Sequence, residues 1–453
     1  MDLVDHAQSV FEGIVEEYRA FLQQVDIRPA GFIPVCGRDG DNVARRAVRM
    51  PWYAGPTVLD ILDAFETEAP PTDKPFRMPV QDVYKFTQQG DDRRIVAGTI
   101  ETGRVTVGDE VVFYPSGKKS RVRSIEAFNR PPLTEAAAGG AAGFTLWEQI
   151  YVARGEIATR AAEPRPKVTT RLRVSLFWLG KSPLVRKRDY ILKLGTVRVL
   201  ARLEEIHRVV DASSLETSEQ KARIDRHDVA ECVLKLNRAI AFDLADEIAG
   251  TSRFVLVDDF EIRGGGVVRE ALPDRQEWVR DKVMLRNYKW EPSMISLERR
   301  AERYSQKSTL VLVTGAREAD RKTLAKDLEA RLFDEGKLVY FLGIGSVLYG
   351  VDADIERKQE NRREHLRRLS EIANILMDAG VILIVVAAEL TQEDLELIKA
   401  TVDPDRIETV WAGDHVTTDI EYDLHLGEEE LRDDAVIRVK GLLRDKGIIF
   451  QPW

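Results

Sequence analysis

The spacing of hydrophobic residues changes twice along the chain, and these changes divide it into parts. In the first part apolar residues recur every three or four positions, which predicts an amphipathic helix. These residues are Val10, Phe11, Ile14, Val15, Tyr18 and Leu22. A short apolar run at residues 32–35 predicts a strand, and Pro56 and Thr57 are predicted to begin a second helix.

From residue 76 the spacing becomes typical of short strands joined by glycine-containing turns. Predicted strands cover residues 95–100, 105–107, 110–114 and 121–125, which indicates a small barrel. A proline-containing segment at 163–166 precedes a second β-rich block. Its predicted strands cover 172–178, 190–194, 197–203, 230–236 and 253–257.

The last third of the chain alternates between strands and amphipathic helices. Apolar runs at 310–313, 338–342 and 381–387 predict buried strands, and helices are predicted at 322–333 and 362–377. Gly380 is placed to end the second of these helices, and Thr391 with Asp394 resembles a capping box for the next one. This alternation favours a mostly parallel sheet.

These patterns predict a multidomain chain with five segments. They are a partial α/β unit over residues 1–70, a β-barrel over 75–163, a second β-barrel over 167–272, a linker over 273–306 and an α/β domain over 307–453.

Charge and cysteine content narrow the range of functions. The 67 basic and 76 acidic residues give a net charge of -9, which argues against nucleic-acid binding driven by bulk charge. No apolar run reaches the length of a membrane span, and no signal peptide is predicted. Cys36 and Cys232 form no CxxC and the six histidines show no metal-ligand spacing, so we predict no disulfide and no metal site. A reducing cytoplasm is the expected compartment.

Two motifs near the beginning of the chain carry a resemblance to a known family. Residues 40–43 (GDNV) and 49–57 (RMPWYAGPT) resemble the end of the GTPase domain in elongation factor 1-alpha and in the large subunit of bacterial sulfate adenylyltransferase. The family's guanine motif, Asn-Lys-x-Asp, would end at Asp2, whose carboxylate would accept hydrogen bonds from guanine. Cys36 and Gly37 take the place of the family's Ser-Ala loop beside the guanine oxygen.

The phosphate-binding portion of such a GTPase has no counterpart in this sequence. No Gly-x4-Gly-Lys-Ser/Thr occurs before residue 300, and without that loop nothing holds the triphosphate. The first segment is therefore interpreted as a structural remnant, with useful GTP binding as the alternative. Its helices should expose an apolar face or find a partner. A further alternative is that the gene start is misplaced and the native protein carries an intact GTPase domain.

The two barrels resemble domains 2 and 3 of the same large subunit. Residues 98–109 (GTIETGRVTVGD) and 114–117 (YPSG) carry the first resemblance, and residues 177–178, 192–196 and 236–242 carry the second. The resemblance implies a docking surface for a catalytic partner subunit, and plain barrel packing is the alternative. A translation-factor-like RNA-binding protein remains a rival hypothesis.

The last domain resembles adenylylsulfate kinase with an altered phosphate loop. The family's Gly-Leu-Ser-Gly-x-Gly-Lys-Ser-Thr reads Gly-Ala-Arg-Glu-Ala-Asp-Arg-Lys-Thr here, over residues 315–323. Gly315 and Thr323 match, whereas Arg321 replaces the lysine and Lys322 replaces the serine that would bind Mg²⁺. Two acidic residues replace glycines that let the backbone approach a phosphate. We therefore expect kinase chemistry to be lost.

A second motif of the kinase family is altered as well. The family's Leu-Asp-Gly-Asp-Asn-Val-Arg reads Leu-Gly-Ile-Gly-Ser-Val-Leu at residues 342–348. Part of a later helix motif survives as Arg362, Arg367 and Arg368, with His365 in place of an asparagine. These arginines are candidate ligands for an anion such as adenylylsulfate. The alternative is a solvated helix face paired with Glu360 and Glu364.

The resemblance implies a protein of sulfate activation. Its family makes adenylylsulfate from ATP and sulfate with GTP hydrolysis, then phosphorylates it with ATP and Mg²⁺. Because the residues that differ from the family's motifs are those that bind or react with nucleotides, we expect this chain to be catalytically degraded. A regulatory or scaffold role is then expected, with a sulfate adenylyltransferase catalytic subunit as partner and adenylylsulfate or ATP as candidate ligands.

Overall fold

A computed structural model describes residues 1–24, 28–85, 93–127, 131, 133–148, 150–212, 217–218, 221–291, 293–315, 318–343, 346–355, 361–427 and 432–450. The chain divides into two compact units, Met1–Pro70 and Pro71–Trp453. No helix among the described residues has the length and apolar character needed to cross a membrane.

The first unit contains both predicted helices. A 3-10 turn at Asp2–Val4 precedes α1 (Gln8–Gln24), and α2 spans Val58–Asp63. Thr57 caps α2 in a capping box with Asp60, because each residue's side chain binds the other's backbone N–H. The strand predicted at residues 32–35 is wrong. This stretch has no ladder partner among the described residues, and isolated bridges of Cys36 with Asp41 and of Asp41 with Arg45 follow it.

The first unit exposes much apolar surface, as predicted. One group of apolar side chains lies on α1 and others lie on α2 and its flanking turns. Those largely exposed are Leu3, Ile14, Tyr18, Val48, Leu62 and Phe65. A unit of this size with so many exposed apolar residues carries a surface of the kind that partners cover.

The first barrel begins the second unit. Its strands are β1 Met78–Lys85, β2 Arg94–Thr99, β3 Arg104–Thr106, β4 Glu110–Tyr114, β5 Lys118–Glu126, β6 Glu135–Ala137, β7 Ala141–Leu146 and β8 Ile157–Arg160. The closed order is β1-β2-β7-β5-β4-β8, and β3 pairs with β6 outside the ring. Val111, Phe113 and Phe144 fill the interior, as the alternation of apolar residues in these strands requires.

The second barrel uses longer strands. They are β9 Lys167–Trp178, β10 Tyr190–Leu194, β11 Val197–Asp211, β12 Thr217–Ser218, β13 Asp228–Phe242, β14 Arg253–Asp258 and β15 Glu261–Leu272. The order is β10-β14-β15-β9-β13-β11-β12, and pairing of β10 with β11 closes the ring. Trp178 packs edge-on against Tyr190 at 5.8 Å between ring centroids, at the heart of this core.

The segment predicted as a linker contains two helices. These are α3 (Glu277–Tyr288) and α4 (Leu297–Tyr304). Val279 and Val283 of α3 lie in the core of the α/β domain. At the other end of α3 the Asn287 side chain donates to the Ser116 carbonyl of the first barrel at 2.5 Å. The segment is therefore a packed connection.

The α/β domain has the predicted parallel sheet. Its elements are β16 Thr309–Thr314, α5 Glu318–Asp334, β17 Val339–Leu342, α6 Arg362–Asp378, β18 Ile382–Val386, α7 Gln392–Thr401, β19 Ile407–Ala412, β20 Leu424–Leu426 and α8 Arg432–Asp445. The strand order is β17-β18-β16-β19-β20, and every neighbouring pair is parallel. Helices α3, α6 and α7 cover one face, and α5 and α8 cover the other. The predicted capping box of Thr391 and Asp394 is present at the start of α7.

The topology places one strand end at a switch point. The chain runs from β16 outward to β17 and β18 on one side, then to β19 and β20 on the other. Open parallel sheets bind ligands beyond the carboxyl end of the strand where this reversal occurs. That end is Thr314 and Gly315, so the altered phosphate loop occupies the position where this fold binds ligands.

Candidate functional site

The altered phosphate loop connects β16 to α5. Its outer residues 316–317 lie outside the described part of the chain, as do the side chains of residues 318–320. Arg321 lies in the first turns of α5 and is only 3% exposed. Its guanidinium donates a hydrogen bond to the Gly315 carbonyl oxygen. The positively charged guanidinium of Arg321 therefore lies against the loop that binds the phosphate groups of a nucleotide in the kinase family.

Gly315 is held in a conformation that other residues rarely adopt. Its φ is 140°, and a Cβ atom there would overlap the carbonyl oxygen of Ala412. Next to it, the buried Thr314 hydroxyl accepts a hydrogen bond from the Leu390 N–H at 3.0 Å. The strand end is thus tightly built, as in a working phosphate loop.

The two remaining loop candidates, Lys322 and Thr323, are less buried than Arg321. Lys322 is exposed and Thr323 is half-buried on α5. Arg321 and Thr323 lie in the same turn of the helix, but only Arg321 turns inward beneath Gly315. The structure therefore brings Gly315 and Arg321 together and leaves Lys322 at the surface.

The same domain contains a buried carboxylate and imidazole pair, Asp352 and His365. Asp352 follows a π-helical turn at Val347–Val351, a feature that often marks functional sites. Its Oδ2 is 2.6 Å from Nδ1 of His365, and its side chain is fully buried. Such a pair orients the imidazole. Nε2 of His365 is buried and has no hydrogen-bond partner among the described residues. Sequence reasoning missed Asp352, since it lies outside the altered motif at 342–348.

The three candidate anion-binding arginines of α6 are all engaged by carboxylates. Arg362 binds Asp394 with Nη2 at 2.8 Å from Oδ2. Arg367 and Arg368 both bind Glu364, at 2.6 Å and 3.1 Å respectively. Glu364 is the residue that the alternative interpretation named, whereas Glu360 lies outside the described residues.

These ion pairs lower the pKa values of the carboxyl groups that form them. Hydrogen bonds from Arg367 and Arg368, opposed by partial burial, lower the pKa of Glu364 to about 2. The hydrogen bond from Arg368 likewise lowers the pKa of Asp354, which receives two of that side chain's N–H groups. An incoming anion would have to displace these carboxylates from the arginines.

The residues assigned to a guanine site by resemblance lie partly together. Although burial opposes it, a hydrogen bond from its own backbone and the neighbouring N-terminal ammonium lower the pKa of Asp2, with a smaller contribution from Cys36. Cys36 is fully buried at the start of a turn, and Gly37 follows it in that turn on the exposed side. His6 and Asp41, which sequence reasoning did not single out, complete this cluster with Cys36.

A cleft of 1480 Å³ lies elsewhere in the second unit. Its walls come from both barrels, from α3 and its flanks, and from α7. Trp147, Tyr151 and Trp290 line it together with arginines and carboxylates in similar numbers. Because neither Gly315 nor Arg321 lines it, this cleft is distinct from the altered phosphate loop.

Comparisons with known families agree with the order of domains. Residues 93–146 match elongation factor Tu domain 2, and residues 171–269 match the GTP-eEF1A C-terminal domain-like family. Residues 307–425 match adenylylsulphate kinase. The resemblance of the two barrels and of the last domain is therefore confirmed.

Individual relatives match across these domains. The bifunctional enzyme NodQ of a Rhizobium species (strain BR816) is 31% identical over 85% of this chain and 59% of its own length. The bifunctional enzyme CysN/CysC of Xylella fastidiosa is 30% identical over 85% of this chain and 60% of its own. Sulfate adenylyltransferase subunit 1 of Laribacter hongkongensis is 35% identical over 60% of this chain and 56% of its own.

The chain spans about three fifths of the length of the curated relatives that it matches. Over the span that matches, the chain is therefore similar to the bifunctional NodQ and CysN/CysC enzymes, and its residues 307–425 match adenylylsulphate kinase.

Proposed function

We propose that this chain serves sulfate activation without catalysing it, as a regulatory or scaffold subunit. The observation that carries the proposal is the position of Arg321. Its guanidinium lies buried against the Gly315 carbonyl, at the strand end where this fold would bind the phosphates of a nucleotide.

A working phosphate loop turns backbone N–H groups toward the anion and adds a lysine and a hydroxyl. Here the Gly315 carbonyl accepts from Arg321 and from the Glu389 N–H at 3.4 Å, so this part of the loop is satisfied internally. Lys322 occupies the hydroxyl position and is exposed. The ammonium group cannot act as a metal ligand, so no Mg²⁺ is organised from this position.

The same proposal assigns the chain a protein partner, a sulfate adenylyltransferase catalytic subunit. Two features support it. The barrels keep closed rings and filled cores although the nucleotide motifs are altered. The first unit exposes apolar side chains such as Ile14 and Phe65.

The same proposal places the chain in the cytoplasm. Cys36 and Cys232 are both buried free thiols, as suits a reducing compartment.

Calorimetry and a kinase assay test the loss of catalysis. The purified chain is titrated with ATP, GTP and adenylylsulfate in the presence of Mg²⁺, and ADP release with adenylylsulfate is followed. We expect no turnover and no micromolar binding. Turnover above background, or micromolar binding of ATP at the altered loop, contradicts the proposal.

A matched pair of variants tests whether the Arg321 side chain prevents ATP from binding at the altered loop. Arg321→Ala removes the guanidinium that binds the Gly315 carbonyl, whereas Arg331→Ala removes an exposed arginine of the same helix that pairs with Glu335 at 3.5 Å. If Arg321 fills the phosphate position, weak ATP binding should be gained only in Arg321→Ala.

Co-purification with the catalytic subunit tests the partner. We expect a complex in size-exclusion chromatography that survives moderate salt. A salt-sensitive complex with tRNA and none with the catalytic subunit would favour the RNA-binding alternative and would contradict the proposal.

A further inference from the structure

Three side chains of the kind that bind metal ions meet in the first unit. They are His6, Cys36 and Asp41, and their ligand atoms all lie within 4.8 Å of one another. Cys36 and Asp41 face each other across an antiparallel bridge, in which the Cys36 N–H donates to the Asp41 carbonyl at 3.2 Å. His6 reaches the pair from the turn that precedes α1.

Two atoms of this cluster are buried without a hydrogen bond. Nε2 of His6 and Oδ2 of Asp41 are 3.7 Å apart, and neither has a hydrogen-bond partner among the described residues. Buried polar atoms nearly always form hydrogen bonds. Oδ2 of Asp41 has an ion pair with Nη2 of Arg49 at 3.4 Å, but not a hydrogen bond. The separation between Nε2 of His6 and Oδ2 of Asp41 is too long for a direct hydrogen bond. A bound ion between them would satisfy both atoms.

The scaffold around the cluster is fixed by its own hydrogen bonds. The buried Asn42 side chain donates to the Pro34 carbonyl and accepts from the Ala47 N–H, each at 2.8 Å. The indole of Trp52 donates to the His6 carbonyl at 3.1 Å. Since these contacts hold the backbone on both sides of the cluster, the three ligand side chains are arranged before any ion arrives.

We propose that His6, Cys36 and Asp41 form a binding site for a divalent transition-metal ion, with zinc as the expected occupant. A thiolate, an imidazole and a carboxylate together suit zinc and its neighbours, whereas Mg²⁺ and Ca²⁺ take oxygen ligands. A tetrahedral zinc ion holds its ligand atoms roughly 3.3–3.8 Å apart. The separation between His6 and Asp41 already lies in that range, and binding releases the thiol proton of Cys36.

Neighbouring charges suit this ion. One thiolate and one carboxylate neutralise its two positive charges. Water fills the fourth position at zinc sites with three protein ligands. The Arg49 guanidinium, 3.4 Å from Oδ2 of Asp41, would share that carboxylate with the ion.

The metal content and cobalt spectrum of the full chain test the proposal. The chain as purified should contain one equivalent of zinc. After the zinc is stripped with a chelator, titration with Co²⁺ should give the intense visible bands of a tetrahedral site. A sulfur-to-cobalt charge-transfer band in the near ultraviolet should accompany them, because only a thiolate ligand produces it.

Matched variants assign the ligands. Cys36→Ser should abolish the charge-transfer band, and His6→Gln should weaken Co²⁺ binding by about 10–100-fold or more. Cys232→Ala removes a buried cysteine of the second unit, and Asp39→Asn removes a carboxylate that binds Arg49 at 2.5 Å. Both controls should leave the cobalt spectrum unchanged.

The wild-type spectrum alone decides the question if a variant fails to fold. Absence of the charge-transfer band in the wild-type chain overturns the proposal, as does a band that Cys36→Ser retains. Because neither readout involves nucleotide binding or kinase activity, this result stands apart from the outcome for the proposed function.

Discussion

Arg77 and Asp243 form a buried ion pair that joins the two barrels. Nε of Arg77 lies 2.9 Å from Oδ2 of Asp243 and Nη2 lies 3.0 Å from Oδ1, so the contact is bidentate. Arg77 also donates to the carbonyls of Phe76 and Pro164, and the Thr251 hydroxyl donates to Asp243. Every polar group of the pair is thus engaged, which is what permits two charges to be buried here.

Removing one member of this pair should destabilise the barrels strongly. In Arg77→Met the Asp243 carboxylate stays buried without its partner, at a cost of about 3–5 kcal/mol in the free energy of unfolding. The double variant Arg77→Met with Asp243→Leu should recover much of that loss. Differential scanning calorimetry of the barrel transition measures both effects.

An exposed pair in the second barrel is the control. Arg171 and Glu204 are 2.9 Å apart with both side chains about one third exposed. Arg171→Met should change the free energy of unfolding by no more than about 1 kcal/mol. Equal losses for Arg77→Met and Arg171→Met would show that burial of the interbarrel pair does not matter.

Gly315 should tolerate no side chain. Its φ of 140° and the approach of the Ala412 carbonyl both oppose a Cβ atom, so Gly315→Ala should cost at least roughly 1–3 kcal/mol. Gly441 is the matched control, since it lies inside α8 with open space around it. Gly441→Ala should stabilise the domain by about 0.5–1 kcal/mol. Urea unfolding of the two variants should give opposite signs.

Glu364 should make the α/β domain more resistant to acid. Since its pKa is lowered to about 2 in the folded chain, its contribution is present above its unfolded pKa and is lost as the pH falls toward 2. The melting temperature of wild-type chain should therefore fall between about pH 5 and pH 2, and Glu364→Gln should flatten this dependence.

The exposed Glu302 of α4 provides the comparison for Glu364. Glu302→Gln should leave the acid dependence of the melting temperature as in the wild-type chain. The same flattening in both variants would mean that the pairing with Arg367 and Arg368 does not set the pKa of Glu364.

Cys232 should be an unreactive thiol. Burial raises the pKa of its thiol to about 12, and the side chain is enclosed in the core of the second barrel. A Cys36→Ser chain, in which Cys232 is the remaining thiol, should therefore react with Ellman's reagent at pH 8 only as fast as it unfolds. In guanidinium chloride one thiol per chain should react at once. Rapid reaction of the native variant would contradict this assignment.

Local patterns predicted many elements because local interactions form them. The helix that begins after Thr57, the capping box of Thr391 and the strand Glu110–Tyr114 were predicted from sequence and are present. In contrast, α3 was predicted as part of a linker. Its apolar positions, Val279 and Val283 among them, are interspersed with charged residues, and Arg280 and Arg286 form ion pairs in the folded domain. Packing, which is not visible in the pattern, makes α3 a helix.

The candidate sites show the same limit. The replacement of the phosphate-loop lysine by Arg321 was visible in the sequence, but the inward direction of its side chain depends on the Gly315 carbonyl. The cluster of His6, Cys36 and Asp41 spans 36 residues of chain and follows no local spacing, so only the fold brings it together. The strand predicted at residues 32–35 lacked a ladder partner for a similar reason, since strands require neighbours.

Helix α3 has a consequence for how the chain accommodates insertions. Arg286 near its end binds Glu371 of α6 at 2.6 Å, and the adjacent Asn287 binds the first barrel. One residue added inside α3 would turn everything beyond it by about 100° around the helix axis. The two contacts would then point away from their partners. The number of residues in α3 therefore determines how the first barrel and the α/β domain are oriented relative to each other.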